Sequence, residues 1–132
     1  MASRPFSEER FIAMFEKMQD RVHHNAVDKG FWADPLIALE GRVPDKEIRA
    51  LRICRALLLV HTELSEATEA VRSGDPVSEK IPDFTNLEEE LADTVIRIMD
   101  LSARFNLRLA QAIVRKHTHN VEDRPYLHGR EF

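Results

Sequence analysis

The sequence predicts an all-α protein, an antiparallel bundle of about four main helices. Apolar residues recur at helical spacing in four segments of the chain. Only four glycines are present, most of them near the ends of those segments, which suits an α-rich fold better than a turn-rich β fold. Between the two central segments lie the helix breakers Gly74, Pro76 and Pro82, so the helices on either side can fold back on each other.

The composition limits the classes of protein to which the chain can belong. Its 132 residues are most simply one domain, residues 1–132, small enough for homo-oligomerisation to help stabilise it. A formal net charge of -4 disfavours a binder of nucleic-acid polymers, because dense Lys and Arg are needed to hold a phosphate backbone. The single cysteine, Cys54, excludes an internal disulfide and a cysteine-based zinc site. With neither a signal-peptide core nor a membrane-length apolar run, a cytoplasmic protein without a membrane partner is expected.

The first helix is predicted to begin after Ser7 and to run to about Val27. Ser7 is a suitable N-cap, and Glu8 and Glu9 follow in the first turn, where the helix dipole favours negative charge. Its apolar residues recur at helical spacing and are expected to face a core or a partner subunit: Phe11, Ile12, Met14, Phe15, Met18 and Val22.

The segment from 23 to 32 is less regular, and it contains the only tryptophan of the chain. Gly30 suits the C-terminal end of a helix. In one interpretation Trp32 is a core or interface anchor and His23 is a solvated residue at the helix end. In the other, Trp32 and His23 form a wall against which a nucleobase stacks. The local sequence by itself favours the first interpretation.

The second helix is predicted from about Lys46 to Ser73, with Asp45 as its cap. Apolar residues cover most of its circumference, which is typical of a central helix rather than a surface helix. Glu63 and Glu66 fall on one of its apolar sides, because residues three apart share a face. Acids in such a position need partners that offset the loss of solvation.

The third helix is predicted to follow a connecting loop, residues 74 to 85, and to end at Asn106. A capping box formed by Thr85 with Glu88, or by Asn86 with Glu89, marks its start. Glu90 and Asp93 lie at the edge of the apolar face of this helix. One turn beyond Asp93, Arg97 is placed to form an intrahelical salt bridge with it.

Two pairs of acids therefore flank one helical hairpin. Glu66 lies about 10 Å from the turn and Glu90 about 6 Å, at 1.5 Å of rise per residue, so the pairs meet at similar height. Repulsion among four carboxylates is relieved when a cation lies between them, and a hard divalent ion prefers oxygen ligands. The pattern predicts a metal site formed by Glu63, Glu66, Glu90 and Asp93.

A fourth helix is predicted from about Leu109 to Asn120, and Arg124-Pro125 ends it. Lys116, Asn120 and Arg124 are spaced so that they project toward a common point. These residues can also be explained as an ordinary basic helix terminus, which the helix dipole favours.

Three motifs together make the chain resemble the MazG-like family of all-α nucleoside triphosphate pyrophosphohydrolases. They are Glu63-x-x-Glu66, Glu90-Leu-Ala-Asp93 with the following Thr-Val-Ile-Arg-Ile-Met-Asp100, and Lys116-x-x-x-Asn120-x-x-x-Arg124-Pro-Tyr-x-His128-Gly129. The upstream His23-x-Asn25-Ala-x-x-Lys29-Gly-Phe-Trp32 resembles a subgroup of the family. The chain departs from the pattern at Arg108, where relatives often have an acid, and at His117 to His119, where apolar or aromatic residues are commoner.

The resemblance implies a helical bundle completed as a homodimer or homotetramer. It implies an enzyme that converts an NTP or dNTP to its monophosphate and pyrophosphate with Mg²⁺, for which Mn²⁺ can substitute. The implied metal ligands are Glu63, Glu66, Glu90 and Asp93, and one of the first two acids, with Glu66 preferred, would activate water. The implied substrate-binding residues are His23 and Trp32 for the base and Lys116, Asn120 and Arg124 for the phosphates and sugar.

The acids also allow other interpretations. A ferritin-like di-metal bundle normally uses Glu-x-x-His pairs, and neither acid pair is followed by a histidine at that offset. A phosphohydrolase with a His-Asp motif is excluded because that dipeptide does not occur. The remaining alternative is a non-catalytic helical interaction module whose acids form a charged rim.

Overall fold

The computed structural model describes residues 5–122, and these form a bundle of four α-helices without a β-strand in that range. The helices are α1 (Glu8–Asp28), α2 (Asp45–Arg72), α3 (Asn86–Arg104) and α4 (Leu109–Glu122). A short 3-10 helix, Ile37–Leu39, lies in the connection between α1 and α2. The all-α prediction and the number of main helices are confirmed.

The ends of α1 follow from local side-chain and backbone chemistry. Ser7 Oγ accepts a hydrogen bond from the backbone N–H of Arg10, as expected for an N-cap. At the other end, Gly30 has a φ of 79°, and its N–H bonds to the carbonyl of Val27 while the N–H of Phe31 bonds to that of Ala26. This pair of bonds is a Schellman motif, which turns the chain sharply after the helix. After this turn the chain continues into Phe31 and Trp32.

The start of α2 differs from the prediction that Asp45 caps it. The structure makes Asp45 the first helical residue and Pro44 the N-cap, and no side chain caps the backbone there. Instead, the carbonyl of Pro44 accepts hydrogen bonds from the N–H groups of Glu47 and Ile48. Asp45 still lies in the first turn, where the helix dipole favours its charge.

Helix α3 folds back along α2 and forms the most extensive contact of the bundle. Thr85 and Glu88 form the predicted capping box: the Thr85 hydroxyl accepts from the N–H of Glu88, and the Glu88 carboxylate accepts from the N–H of Thr85. An antiparallel bridge between Val77 and Thr85 closes the connecting loop. Asn106, with a φ of 52°, ends the turn after α3. The antiparallel hairpin brings the two acid-bearing segments side by side.

Helix α1 packs across α3, and α4 packs against α1. The interior is small, and its buried apolar side chains are Ala26, Ile48, Val60, Ala67, Ala70, Met99, Leu101, Ala110 and Val114. The prediction that α2 is a central helix is not met in the single chain, because α3 covers only one side of it. Leu58 is 66% exposed and Val71 is 56% exposed on the remaining surface. None of the helices in residues 5–122 combines the length and apolar character that a membrane crossing requires.

Candidate metal centre and substrate site

Three carboxylates from the facing helices converge at the centre of the α2–α3 hairpin. Glu63 of α2 and Glu90 and Asp93 of α3 each offer an oxygen, and these three atoms lie within 4.8 Å of one another. Glu63 is 5% exposed and Glu90 is 8% exposed, so two of these carboxylates are buried. We refer to Glu63, Glu90 and Asp93 as the acid cluster. Oxygen ligands at this spacing suit a hard divalent cation.

The charge of the acid cluster is only partly balanced by protein groups. Burial is the main cause that raises the pKa of the Glu90 carboxyl, and the nearby carboxylates of Glu66 and Glu89 raise it further. Burial also raises the pKa of Asp93, with a further contribution from Glu63. Two carboxyls of the cluster therefore lie where negative charge is unfavourable without a cation.

One atom of the acid cluster indicates where a cation fits. Glu90 Oε2 is buried, and it has no hydrogen-bond partner among the described residues. A buried carboxylate oxygen without a partner is costly, because it has lost water and gained nothing in exchange. A metal ion coordinated by this oxygen and by Glu63 and Asp93 would remove that cost. The residues present thus fit the divalent ion that the sequence predicts.

Arg97 contacts the acid cluster from α3, although not in the predicted way. The sequence suggested a salt bridge with Asp93 one turn earlier; instead, Arg97 Nε donates to Glu63 Oε1 across the hairpin. The buried Glu63 carboxylate has more to gain from the guanidinium than the less buried Asp93 has. Arg97 also lies over the ring of Phe31, with its guanidinium carbon 6.0 Å from the ring centroid. Arg97 therefore links the acid cluster to the segment after α1.

Glu66 lies one turn further along α2 than Glu63, and its side chain is exposed. It is not part of the group of acids within 4.8 Å, but it is close enough to raise the pKa of Glu90. Of the four predicted metal ligands, the structure brings three together and leaves Glu66 beside them. Its exposure leaves it accessible to water and to a substrate.

A cavity of about 570 Å³ opens on one side of the acid cluster, between α1 and α3. Glu63 and Asp93 form part of its wall, together with Arg97 and Asp100. The rest of the wall contains two polar side chains of α1, Arg21 and Asn25. Its other residues are apolar: Met18, Val22, Ala26, Phe31 and Ile96. Because Phe31 is an exposed aromatic ring in this wall, we call it the aromatic cavity. Its volume is within the range of small-molecule sites.

His23 and Trp32 lie behind the aromatic cavity and share one acceptor, Asp100. His23 Nδ1 is 2.7 Å from Asp100 Oδ1, and Trp32 Nε1 donates to the two oxygens at 2.8 and 3.0 Å. The ring of Trp32 meets the rings of His23 and Phe105 edge to face. Asp100 lines the aromatic cavity, whereas His23 and Trp32 are not among its lining residues. The structure thus places the two predicted base-pocket residues in a supporting layer that holds Asp100.

A second cavity, of about 430 Å³, lies on the other side of the acid cluster, beside the connecting loop. It is lined from α2 by Glu66, Glu69, Ala70 and Ser73, from the loop by Pro76, Val77, Glu79 and Lys80, and from α3 by Asn86, Glu89 and Glu90. We call it the loop cavity. Lys80 is the cation among these residues, and its Nζ lies 2.5 Å from Glu89 Oε1.

The remaining predicted ligands are not at these cavities. Lys116 and Asn120 are exposed on α4, which packs on α1, and they line neither the aromatic cavity nor the loop cavity. Arg124 and the following motif, residues 125–129, lie outside the described residues. Their predicted role with the phosphates and sugar stays a prediction.

Sequence reasoning did not identify Phe31, Lys80 or Glu89 as site residues. The sequence offered Glu89 as a capping-box partner of Asn86, whereas Glu88 caps the helix and Glu89 is buried against the loop. Lys80 stands ten residues before Glu90, in a loop whose path the sequence does not define. Phe31 stands between the helix-ending Gly30 and Trp32, and no local signal separates it from the tryptophan beside it.

No protein-family model matches the chain, and neither the curated proteins nor the solved structures give a significant match.

Proposed function

We propose that the chain is a Mg²⁺-dependent nucleoside triphosphate pyrophosphohydrolase of the MazG-like family. It would convert an NTP or dNTP to the monophosphate and pyrophosphate, as part of cytoplasmic nucleotide-pool house-cleaning. The observation that carries the proposal is the acid cluster with its unpartnered Glu90 oxygen. The aromatic cavity beside the cluster supports it, since a nucleotide needs an aromatic or apolar surface for its base next to a cation for its phosphates.

The acid cluster would hold the divalent ion, with Glu66 as a further ligand or as the residue that acts on water. When bound, Mg²⁺ supplies positive charge to the phosphate oxygens and to the departing pyrophosphate, and it acidifies water. The protein's task in phosphoryl transfer is mainly to position the reactants and to stabilise charge.

Glu66 is the preferred residue for orienting or deprotonating the attacking water. Glu63 is engaged by Arg97, and its carboxylate is buried, so it is less free to move a proton. Glu66 lies beside Glu90 and is exposed. A general base must reach the water that it activates, and of the two catalytic candidates Glu66 is the more accessible.

The aromatic cavity is the preferred place for the nucleoside. Phe31 offers a ring face for stacking, and Asn25 offers both a donor and an acceptor to the edge of a base. His23 and Trp32 would act on the base site through Asp100, which they hold at its wall. In this proposal His23 and Trp32 belong to the base site that the resemblance implies, and their role there is to position Asp100.

The assembly proposed is a homodimer or homotetramer. Four apolar residues of α2 that α3 does not cover form a strip along the helix, which we call the apolar stripe: Leu57, Leu58, Leu64 and Val71. Three of them are seven residues apart in sequence, the spacing at which two helices pack along a seam. A second copy that covers the apolar stripe would supply the burial that a small core lacks.

The decisive experiment measures pyrophosphate release from a panel of canonical and modified NTPs and dNTPs, with and without Mg²⁺. Wild type is compared with Glu90→Gln, which keeps the size of the side chain and removes one ligand, and with Glu47→Gln, an exposed acid at the start of α2. We expect magnesium-dependent release that is lost in Glu90→Gln and kept in Glu47→Gln. Absence of turnover, together with no effect of Mg²⁺ on melting, would instead support the helical interaction module.

A further inference from the structure

We infer that Lys80 is a phosphate-contacting residue that holds the pyrophosphate end of the substrate in the loop cavity. The inference rests on the proposed function, because it assumes a nucleoside triphosphate at the acid cluster. It adds a direction to that function: the nucleoside lies in the aromatic cavity, and the phosphates that leave as pyrophosphate lie on the opposite side.

The two cavities are displaced along the hairpin, with the acid cluster between them. On α3, the aromatic cavity is lined by Asp93, Ile96, Arg97 and Asp100, whereas the loop cavity is lined by Asn86, Glu89 and Glu90. The centres of these two groups of residues are about 12 Å apart along the helix at 1.5 Å per residue. A triphosphate chain that crosses the acid cluster from one cavity therefore enters the other.

The linings of the two cavities differ, and the difference indicates which end of the nucleotide lies in each cavity. Phe31, Met18 and Ile96 give the aromatic cavity an apolar surface that suits a base. The loop cavity has no aromatic lining residue, and most of its side chains are charged or polar. The polyphosphate end of the substrate offers no flat apolar surface and suits the polar loop cavity when the divalent ion and Lys80 offset the acids of its lining.

Lys80 is held in place by a short network on the loop. The buried carboxylate of Glu89 accepts a hydrogen bond from Ser78 Oγ and forms an ion pair with Lys80. Ser78 Oγ in turn accepts from the N–H groups of Lys80 and Ile81, which fixes the turn that carries the lysine. The Lys80 side chain is nevertheless 73% exposed, so its ammonium group has donors left for an incoming phosphate.

The charges around the loop cavity make a cation there necessary. Its lining contains five acids, Glu66, Glu69, Glu79, Glu89 and Glu90, and Lys80 as the cation. Glu69 is paired with Arg72, and Glu89 with Ser78 and Lys80. Glu90 belongs to the acid cluster and Glu66 lies next to it. Besides the divalent ion, Lys80 is thus the group in this cavity that can neutralise a departing pyrophosphate.

The experiment measures the binding of inorganic pyrophosphate and of the four common nucleoside monophosphates in the presence of Mg²⁺, by titration calorimetry. Wild type, Lys80→Ala and Lys80→Arg are compared with Lys46→Ala, which removes an exposed lysine at the start of α2. A charged hydrogen bond corresponds to a loss of roughly tenfold to a hundredfold in affinity. We expect that loss for pyrophosphate in Lys80→Ala, with monophosphate binding within about twofold of wild type and with partial recovery in Lys80→Arg.

A variant in the aromatic cavity distinguishes a specific loss of pyrophosphate binding from general damage to the protein. Phe31→Ala should weaken monophosphate binding and leave pyrophosphate binding unchanged. The inference is overturned if wild type binds no pyrophosphate, if Lys80→Ala binds it as Lys46→Ala does, or if both ligands weaken equally in Lys80→Ala. The proposed function fails by a different observation, the absence of pyrophosphate release from any nucleotide of the substrate panel.

Discussion

Two adjacent residues of α3, Glu89 and Glu90, show how side-chain direction decides chemistry. Neighbouring helix positions point about 100° apart, so the two carboxylates meet different surroundings. Glu89 is paired with Lys80 and hydrogen bonded by Ser78, and these contacts lower its pKa. Glu90 faces the acid cluster, where burial and other acids raise its pKa. Glu89 thus holds the loop, whereas Glu90 Oε2 has no hydrogen-bond partner among the described residues.

Replacement of Glu90 by Gln is expected to have opposite effects with and without metal. A carboxyl whose pKa is raised by folding destabilises the folded state at neutral pH, so loss of its charge should raise the melting temperature in EDTA. With Mg²⁺ at a hundred times its dissociation constant, wild type should gain about 2.7 kcal/mol, and the variant should gain little of this. Calorimetric melting checks both effects. A variant that is stabilised by Mg²⁺ as much as wild type would contradict the metal site.

Asp34 provides a pH-dependent prediction away from the site. Its hydrogen bond from Arg52, and a second from the N–H of Leu36, lower its pKa. An acid with a lowered pKa stabilises the fold above its unfolded pKa of about 4, and this contribution disappears as pH falls through the folded value. Asp34→Asn should therefore melt below wild type at pH 7, and the difference should shrink progressively below about pH 4.

The control for this measurement is Asp83→Asn, at an exposed position in the connecting loop. Its melting temperature should follow that of wild type across the same pH range. A constant difference between Asp34→Asn and wild type from pH 7 to pH 3 would show that the effect is not electrostatic.

At the level of elements, the α2–α3 hairpin is what assembles the acid cluster. Its geometry depends on where α2 stops, on the path of the loop and on where α3 starts. The turn after α2 uses Gly74, with a φ of 83°, and the start of α3 uses the Thr85–Glu88 capping box. A shift at either end would move Glu63 relative to Glu90. The local signals at the helix ends therefore determine the geometry of the acid cluster as well as the fold.

Thr85→Ala is expected to remove the side-chain half of the capping box and to cost about 1 kcal/mol of the free energy of unfolding. Urea denaturation measures this cost. The control is Thr68→Ala within α2, whose hydroxyl bonds to a carbonyl of its own helix. Its effect should stay within about 0.5 kcal/mol, because alanine is the better helix former and the site is exposed. Equal losses in the two variants would argue against a capping role for Thr85.

At the level of the whole molecule, the single chain leaves much apolar surface on α2 uncovered. Leu57, Leu58 and Leu64 are 44%, 66% and 42% exposed, although they occupy the middle of the longest helix. Scattered apolar residues on a surface are normal, but exposed apolar residues that repeat every seven positions along one helix indicate a contact with another protein surface. A second copy of the chain is the partner that the proposed homo-oligomer supplies.

Paired substitution of Leu57 and Leu64 by Glu is expected to dissociate the proposed homo-oligomer. Charges placed on a seam between two helices lose solvation and repel their symmetry-related copies. Sedimentation velocity should show a dimer or tetramer for wild type and a monomer for the double variant. Leu107→Glu, at an exposed position after α3, is the control and should keep the wild-type mass. A monomeric wild type would contradict the homo-oligomer.

Much of the fold could be predicted because its signals are local. Ser7, Gly30, the Thr85–Glu88 box and Asn106 mark helix ends through hydrogen bonds between residues close in sequence. The predicted start of α2 is one residue too late. Asp45 was expected to cap the helix with its side chain, but the carbonyl of Pro44 accepts the first hydrogen bonds instead. The site was less accessible to sequence reasoning. Its contacts join residues that are distant in the chain, such as Arg97 with Glu63 and Trp32 with Asp100.

The sequence by itself determined the helices and the acids on their inner faces, because helical periodicity and capping depend on residues only three or four positions apart. The tertiary structure decided which acids converge, which one is neutralised by Lys80, and that Phe31 rather than Trp32 faces the aromatic cavity. These outcomes depend on the rotation of each helix and the path of the loop. Packing between distant segments sets both, and no pattern within one segment encodes them.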